Sequence, residues 1–315
     1  MEPSDGVSCV SVAVRHGLLA GVFALLAIAC PARAWAQACC AGAAAVTPGR
    51  LAIHEDALVG LQLKGANLFG SFSSDGSYRG SPAHTNDWEL EQDLFGALRV
   101  VPRGQLALLV PAVQTYRRTP DTSSFGGGIA DINLSGRYDF VLAGEARYIP
   151  GIAVLAGVTF PTGKSAEAAE LPLGTDSTGI GAYQANLGLA LEQTEGPWLF
   201  GISALVAKRS SRTVGPDTTS LAAQWSFMAA TAYTFPNDAA LALLVSYAVE
   251  GDPEVNGVTR DATRRIPVVG AAGVYPFTDV WRLQGGLFLT PPFSQLGRNT
   301  PARLEMVLSV LRSWS

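Results

Sequence analysis

The sequence predicts an all-β fold: a transmembrane antiparallel β-barrel of about 12 strands behind an N-terminal signal peptide. Three observations carry that prediction. A short apolar run of export type opens the chain. Long segments with two-residue alternation fill the rest. The connections between those segments alternate between tight turns and long polar loops.

The chain has 315 residues, 48% apolar and only 15% charged, with a mean hydropathy of +0.23. A net charge of −4 gives no electrostatic footprint for a nucleic-acid partner, which would call for a basic stripe. Lysine occurs only at Lys64, Lys164 and Lys208.

The N-terminus carries Arg15 and His16 and then an unbroken apolar run from Leu18 to Ala29. Ala34-Trp35-Ala36 follows as a small-x-small cleavage site, which predicts a signal peptide over residues 1–36. The apolar run is too short for a membrane-spanning helix, which takes roughly 20 residues. Processing at Cys30 as a lipoprotein is the competing reading of the same stretch. Residues 37–57 then form a short N-terminal periplasmic segment, and residues 58–315 form the barrel. Cys39 and Cys40 lie adjacent in that segment, and nothing near them completes a zinc site.

The expected strands are 58–74, 86–101, 104–118, 128–140, 152–161, 181–193, 197–209, 221–235, 239–250, 264–275, 280–290 and 302–314. The first and tenth alternate poorly. The fourth alternates best: Ala130, Ile132, Leu134, Gly136, Tyr138 and Phe140 share one face, and Asp131, Asn133, Ser135, Arg137 and Asp139 share the other. The sixth places Tyr183, Ala185, Leu187, Leu189 and Leu191 together, and the seventh Trp198, Phe200, Ile202, Ala204 and Val206. The eighth aligns Trp225, Phe227, Ala229, Thr231, Tyr233 and Phe235, and the ninth Leu241, Leu243, Val245, Tyr247 and Val249. The eleventh sets Trp281, Leu283, Leu287 and Leu289 against Arg282 and Gln284. The last aligns Leu304, Met306, Leu308, Val310 and Trp314. Strands this long exceed the usual globular five or six residues and match the 9–11 of a tilted membrane crossing.

Tight turns (Pro102-Arg103-Gly104, Pro236-Asn237-Asp238) alternate with long polar loops, as short periplasmic turns alternate with outer loops. Aromatic residues cluster at strand ends, where membrane–water interfaces place them. A soluble β-sandwich would use the same apolar faces. The low charge and the run of long consecutive hairpins favour the barrel.

Catalytic and nucleotide motifs fail on inspection. "GVTFPTGKS" (Gly157–Ser165) resembles a phosphate loop, but five residues rather than four separate its glycines and no βαβ unit surrounds it. Ser81, His84 and Asp87 fall in one loop, whereas a catalytic triad converges from distant segments. The glycines of Phe125–Asp131 read as a hairpin bend. No cofactor, metal ligand set or enzyme activity is expected.

Two phrases resemble a known family. "GGGIADINLSGRYDF", together with "GVTFPTGKS" and the following "GTDSTGIGAYQ", resembles the outer-membrane family labelled "MetA pathway of phenol degradation", whose members are called transporters. The likeness is best over residues 128–192, and "GTDSTG" carries an insertion relative to the pattern. The resemblance implies a barrel in the outer membrane of a Gram-negative cell.

The expected function is passive passage of small solutes, including hydrophobic or aromatic ones. The alternative is a non-transporting structural or surface-binding barrel. Expected partners are outer-membrane lipid, a small-molecule solute, and the barrel-assembly machinery through the C-terminal strand. Glu91, Arg99, Asp131, Asn133, Arg137 and Arg282 are the lumen or constriction candidates. Those six side chains either shape the field of a constriction or fill a closed lumen with a hydrogen-bonded network.

Overall fold

A computed structural model describes residues 49–146 and 148–315. The signal peptide, its cleavage site and Cys39-Cys40 lie outside the described residues.

Twelve long strands follow one another around a single antiparallel sheet: β1 (Ala57–Phe72), β2 (Asn86–Val101), β3 (Gly104–Arg118), β4 in two segments (Ser123–Ile129 and Ile132–Val141), β5 (Gly151–Phe160) and β6 (Gln184–Glu195). β7 (Trp198–Arg209), β8 (Gln224–Thr234), β9 (Ala240–Glu250), β10 (Arg264–Pro276), β11 (Trp281–Leu289) and β12 (Thr300–Trp314) complete it. β12 pairs back onto β1 from Ala57↔Trp314 to Phe72↔Thr300, so the sheet closes and leaves no edge. Closure matters physically: in hydrocarbon every backbone N–H and C=O must find a partner within the protein.

Alternation assigns the two faces. Val59, Leu61 and Leu63 on β1, Leu187 and Leu189 on β6, and Leu241, Leu243 and Val245 on β9 all point outward and are exposed. Aromatic residues ring the short-turn end. Tyr138 meets Phe140 edge-on at 5.0 Å, Tyr233 meets both Trp198 and Phe235 at 5.0 Å, and the Arg312 guanidinium lies 4.9 Å from the Trp314 ring centre. The turns at this end are tight because residues such as Gly196 (φ 56°) and Asp238 (φ 60°) adopt the left-handed conformation.

Inside, the short-turn end is filled with side chains. Leu51, Leu58, Phe95, Ala97 and Leu311 form one buried cluster, and Leu199, Ala232, Ala240, Ala242 and Val274 form another. Gly60 is required there, because a Cβ would stand 2.3 Å from Phe95 Cζ. At this end both faces of the wall meet apolar surroundings, whereas β1 loses its alternation further along, beside a register shift between Leu68 and Gly70.

At the long-loop end, short strands Ser211–Val214, Asp217–Ser220, Glu254–Val255 and Val258–Thr259 join two loops into a small separate sheet. The loop after β5 contains two single 3-10 turns, Ala166–Ala168 and Pro172–Gly174.

The fourth strand departs from expectation. It starts at Ser123, and the glycines of Phe125–Asp131 pair with β3 as strand rather than forming a hairpin bend. The strand breaks at Ala130-Asp131. Ala130 is buried instead of facing outward with Leu134, its N–H donating to Pro111 O. The outward parity shifts across the break, from Phe125 and Ile129 to Leu134 and Tyr138. At the break the Thr162 hydroxyl accepts from Ile132 N–H and donates to Ala130 O, and the Asp131 side chain accepts from the loop between β5 and β6.

Candidate functional site: the barrel lumen

Residues 49–56 lie against the inner wall at the short-turn end. Gln105 on β3 clamps their backbone twice: its Oε1 accepts from Leu51 N–H at 3.0 Å and its Nε2 donates to Gly49 O at 3.3 Å. Arg50 grips both carboxylate oxygens of Glu192 on β6, at 2.6 and 2.7 Å. Arg137 on β4 donates to the same Glu192 at 3.0 Å and to Asp139 at 2.7 Å. Arg99 on β2 donates to the carbonyls of Ala52 and Glu55. Glu55 accepts from Ala52 N–H at 2.7 Å and pairs with Arg282 on β11 at 2.6 Å. Such two-point arginine–carboxylate contacts fix geometry as well as charge. Leu51 seals the packing by burying itself against Leu58, Phe95 and Leu311, a burial that contributes about 1.5–3 kcal/mol for such a side chain.

Among the described residues, cavities open in the lumen beside and above this layer. One, of about 290 Å³, is lined by Arg50, Asn133, Leu155, Asn186, Glu192 and Leu205 among others. Another, of about 300 Å³, is lined by Gln62, Lys64, Leu244, Phe288, Glu305 and Val307 among others. Met228 on β8 borders both. Each therefore presents apolar surface with a few fixed polar groups, the composition that small-molecule sites share. Lys64 on β1 pairs with Glu91 on β2 at 2.7 Å, and Arg303 with Glu305 on β12 at 3.2 Å. Asn133 Nδ2 donates to Thr159 Oγ1 at 2.9 Å. Arg209 on β7 and Arg264 on β10 share Glu250 at 2.6 and 3.6 Å near the long-loop end.

The loop between β5 and β6 packs on the inward side of the first segment of β4. Ser124 Oγ and Thr175 Oγ1 are 2.8 Å apart, and Arg117 Nη1 donates to Leu173 O at 2.7 Å. Asp131 anchors the loop at both ends, accepting from Gly163 N–H at 2.9 Å and Ile180 N–H at 2.6 Å. Glycine is needed at 179 because a Cβ there would stand 2.3 Å from Asp131 Oδ1. The stretches quoted for that resemblance thus meet at one carboxylate. Lys164 donates to Asp176 at 2.8 Å. That bond, with the backbone N–H groups of Glu170 and Leu171, holds the Asp176 carboxyl well below the usual carboxylate range and raises Lys164.

The six lumen candidates sit at different heights. Arg99 and Arg282 converge on the N-terminal segment, Arg137 joins Arg50 and Glu192, and Glu91 meets Lys64. Asn133 lines a cavity and Asp131 holds the loop. Arg50, Glu55, Lys64, Gln105 and Glu192 share this network and are not among those six. Lys64 was legible as a rare lysine. The rest carry no local signal, because their partners are far away in sequence. Asp87 is turned to Arg117 at 3.2 Å, and Ser81 Oγ donates to Leu68 O.

No protein-family model and no curated protein sequence matches the chain. Solved structures do. The COG4313 outer membrane channel from Pseudomonas putida F1 superposes with a TM-score of 0.67 at 14% identity, over 82% of this chain and 96% of that one. The translocator domain of the autotransporter NalP from Neisseria meningitidis reaches 0.46 at 11% identity, over 96% and 95% of the two chains. The toluene transporter TodX of Pseudomonas putida reaches 0.44 at 10% identity, over 86% and 92%. The fold is that of an outer-membrane β-barrel.

Proposed function

We propose that the protein is an outer-membrane channel for passive passage of small solutes, aromatic and apolar ones among them. One observation carries the reading: a closed barrel whose lumen, among the described residues, contains cavities with apolar walls and a few fixed polar groups. Small apolar molecules partition onto such walls, and the polar groups set orientation. The likeness to an outer membrane channel of Pseudomonas putida supports the same reading at the level of fold.

Membership in the phenol-degradation transporter family is part of this proposal, resting on the phrases that gather around Asp131. The six lumen candidates are proposed to act in two groups: Arg99, Arg137 and Arg282 set the N-terminal segment, and Glu91, Asn133 and Asp131 shape the passage above it. The last strand, ending at Trp314, is proposed as the signal to the barrel-assembly machinery. Residues 1–36 are proposed as the removed signal peptide.

A second reading, a barrel that transports nothing, is favoured by residues 49–56 lying across the short-turn end. Conductance in planar bilayers separates the two. Discrete single-channel steps, with slower solute uptake in a deletion strain, support passage. Neither effect would leave the non-transporting reading.

A further inference from the structure

On the outward face of the wall, ladder register places an arginine above an apolar hollow. Arg265 on β10 stands across from Val249, and Val249 across from Trp225. Two residues along, Pro267 stands across from Tyr247, and Tyr247 from Phe227; two further, Val269 stands across from Val245, and Val245 from Ala229. Trp225, Phe227, Val245 and Val269 are exposed, so this face meets lipid. Trp225 marks the membrane–water interface, where indole rings gather. Arg265 is exposed in register with it, about 7 Å along the strand from Pro267. The wall beneath is hollowed because Ala204 and Ala229 are small where Ile202, Phe227 and Val245 are large. A trough of about 670 Å³ opens there. The loop after β11 forms its upper border: Pro291 and Leu296 line it with the buried Pro267, and Leu296 O accepts from Tyr247 OH at 3.3 Å. Toward the short-turn end the trough runs into a second hollow of about 720 Å³, which shares Ile202, Ala229 and Val245 and reaches Thr231 and Leu243. From the Phe227 row to the Thr231 row is about 13 Å of strand.

The head of the trough lacks an anion. Arg265 and Arg298 form an isolated bridge, Arg265 N–H donating to Arg298 O at 3.0 Å and Arg298 N–H to Arg265 O at 3.1 Å. Residues paired in this way carry their side chains on one face, and like charges directly opposite repel. Arg264 turns inward to Glu250, and Arg298 has Asp261 at 2.7 Å, whereas Arg265 has no ion pair among the described residues. The buried Nε of Arg298 also has no acceptor among the described residues. Asp252 lies near Arg298, but its Oδ1 accepts from Ala262 N–H and from the Thr263 N–H and hydroxyl. A buried donor without an acceptor is costly and uncommon in native structures. Two guanidiniums with free donors on one face match the oxygens of a phosphate.

We propose that the trough is a site for one acyl lipid with a phosphate head, taken from the outer leaflet of the surrounding membrane. The long-loop end of such a barrel faces that leaflet. The phosphate accepts from Arg298 Nε and from the Arg265 guanidinium at the interface. One acyl chain lies over Ala204 and Ala229, beneath the loop that Tyr247 holds. Charge selects the occupant: the bilayer supplies a phosphate beside Trp225 with an apolar chain below it, and the wall supplies the cation and the hollow in the same order. The site lies on the outer wall, apart from the lumen, so it adds to the channel reading without resting on it.

The test uses the full chain purified in a neutral detergent and three probes: dimyristoyl phosphatidic acid, dimyristoylglycerol with the same chains and no phosphate, and inorganic phosphate. Native mass spectrometry should show one phosphatidic acid retained per chain, at least about tenfold more tightly than the diacylglycerol, which corresponds to 1.4 kcal/mol. Inorganic phosphate should bind more weakly than the phosphatidic acid. Arg265→Ala should remove the preference for the phosphate head, and Arg265→Lys should keep part of it. Ala229→Leu, which fills the trough, should weaken both lipids alike. Heat-modifiable migration confirms that each variant is folded. Equal binding of the two lipids, or a preference unchanged in Arg265→Ala, overturns the site. Inorganic phosphate bound as tightly as the phosphatidic acid overturns the part given to the trough. A stable dimer that excludes the lipid and dissociates in Ala229→Leu assigns the trough to a second copy of the chain and overturns the lipid. None of these outcomes depends on conductance, so the channel reading is tested apart from them.

Discussion

Glu192→Gln is the perturbation that most directly loosens the inner end of the lumen. Wild-type Glu192 takes Arg50 through both oxygens and Arg137 through one. The Arg50 and Glu192 side chains are 13% and 11% exposed. Removing one partner of a fully buried pair costs about 3–5 kcal/mol, and an exposed pair contributes about 0–1 kcal/mol. Mostly buried side chains place this pair between the two, at about 2 kcal/mol. The loss falls on docking of residues 49–56, because no ladder hydrogen bond of the wall uses the Glu192 side chain. At 1.4 kcal/mol per decade, undocked segments rise roughly 30-fold. A cysteine at Leu51, in a chain whose four native cysteines are replaced by serine, reports the change. Its reaction with a water-soluble maleimide should accelerate by about that factor in Glu192→Gln, within the twofold to threefold context dependence of such energies. An unchanged rate in a folded barrel would refute the claim that this carboxylate holds the segment.

Three further outcomes follow from other parts of the structure. Asp131→Ala removes two charge-assisted hydrogen bonds, each contributing about 1.5–3 kcal/mol, and should make the loop between β5 and β6 a site of rapid proteolysis on intact cells while the barrel still resists heat; Gly179→Ala should do the same. Because the Asp176 carboxyl is held below its ordinary value, its contribution is present above that value and is lost only as pH falls well beneath it, so the loop should resist protease equally at pH 7 and pH 4, whereas Lys164→Ala should expose it at both. Gln62→Cys with Ser309→Cys, directly opposed across the β1–β12 seam, should form a disulfide without oxidant beyond air, and failure to do so would argue against closure there.

The strands were legible because a membrane wall enforces period two over long segments, and the outward face must be apolar whatever the inward face carries. β8 and β9 show this plainly: Trp225, Phe227, Leu241, Leu243 and Val245 are exposed in the order that alternation assigns them. The break in β4 was not legible. Ala130 and Ile132 continue the alternation on paper, and the break shows only in distant contacts: Thr162 with Ala130 and Ile132, and Asp131 with Gly163 and Ile180. Residues 49–56 lack periodicity altogether, and their meaning lies in contacts such as Arg50–Glu192, 142 positions apart. Lys164 was visible as a rare residue, but its partner Asp176 became apparent only once the loop had folded back. Local pattern thus reports the wall, whereas the contents of the lumen depend on long-range pairing.

Solute flux through the reconstituted protein tests the central claim most directly. Proteoliposomes prepared with the purified barrel and placed in solutions of graded neutral solutes should swell, quickly for molecules that fit cavities of about 290–300 Å³ and slowly or not at all for much larger ones. Liposomes carrying the heat-unfolded protein should not. Equal, negligible swelling with folded and unfolded protein for every solute would contradict passive passage.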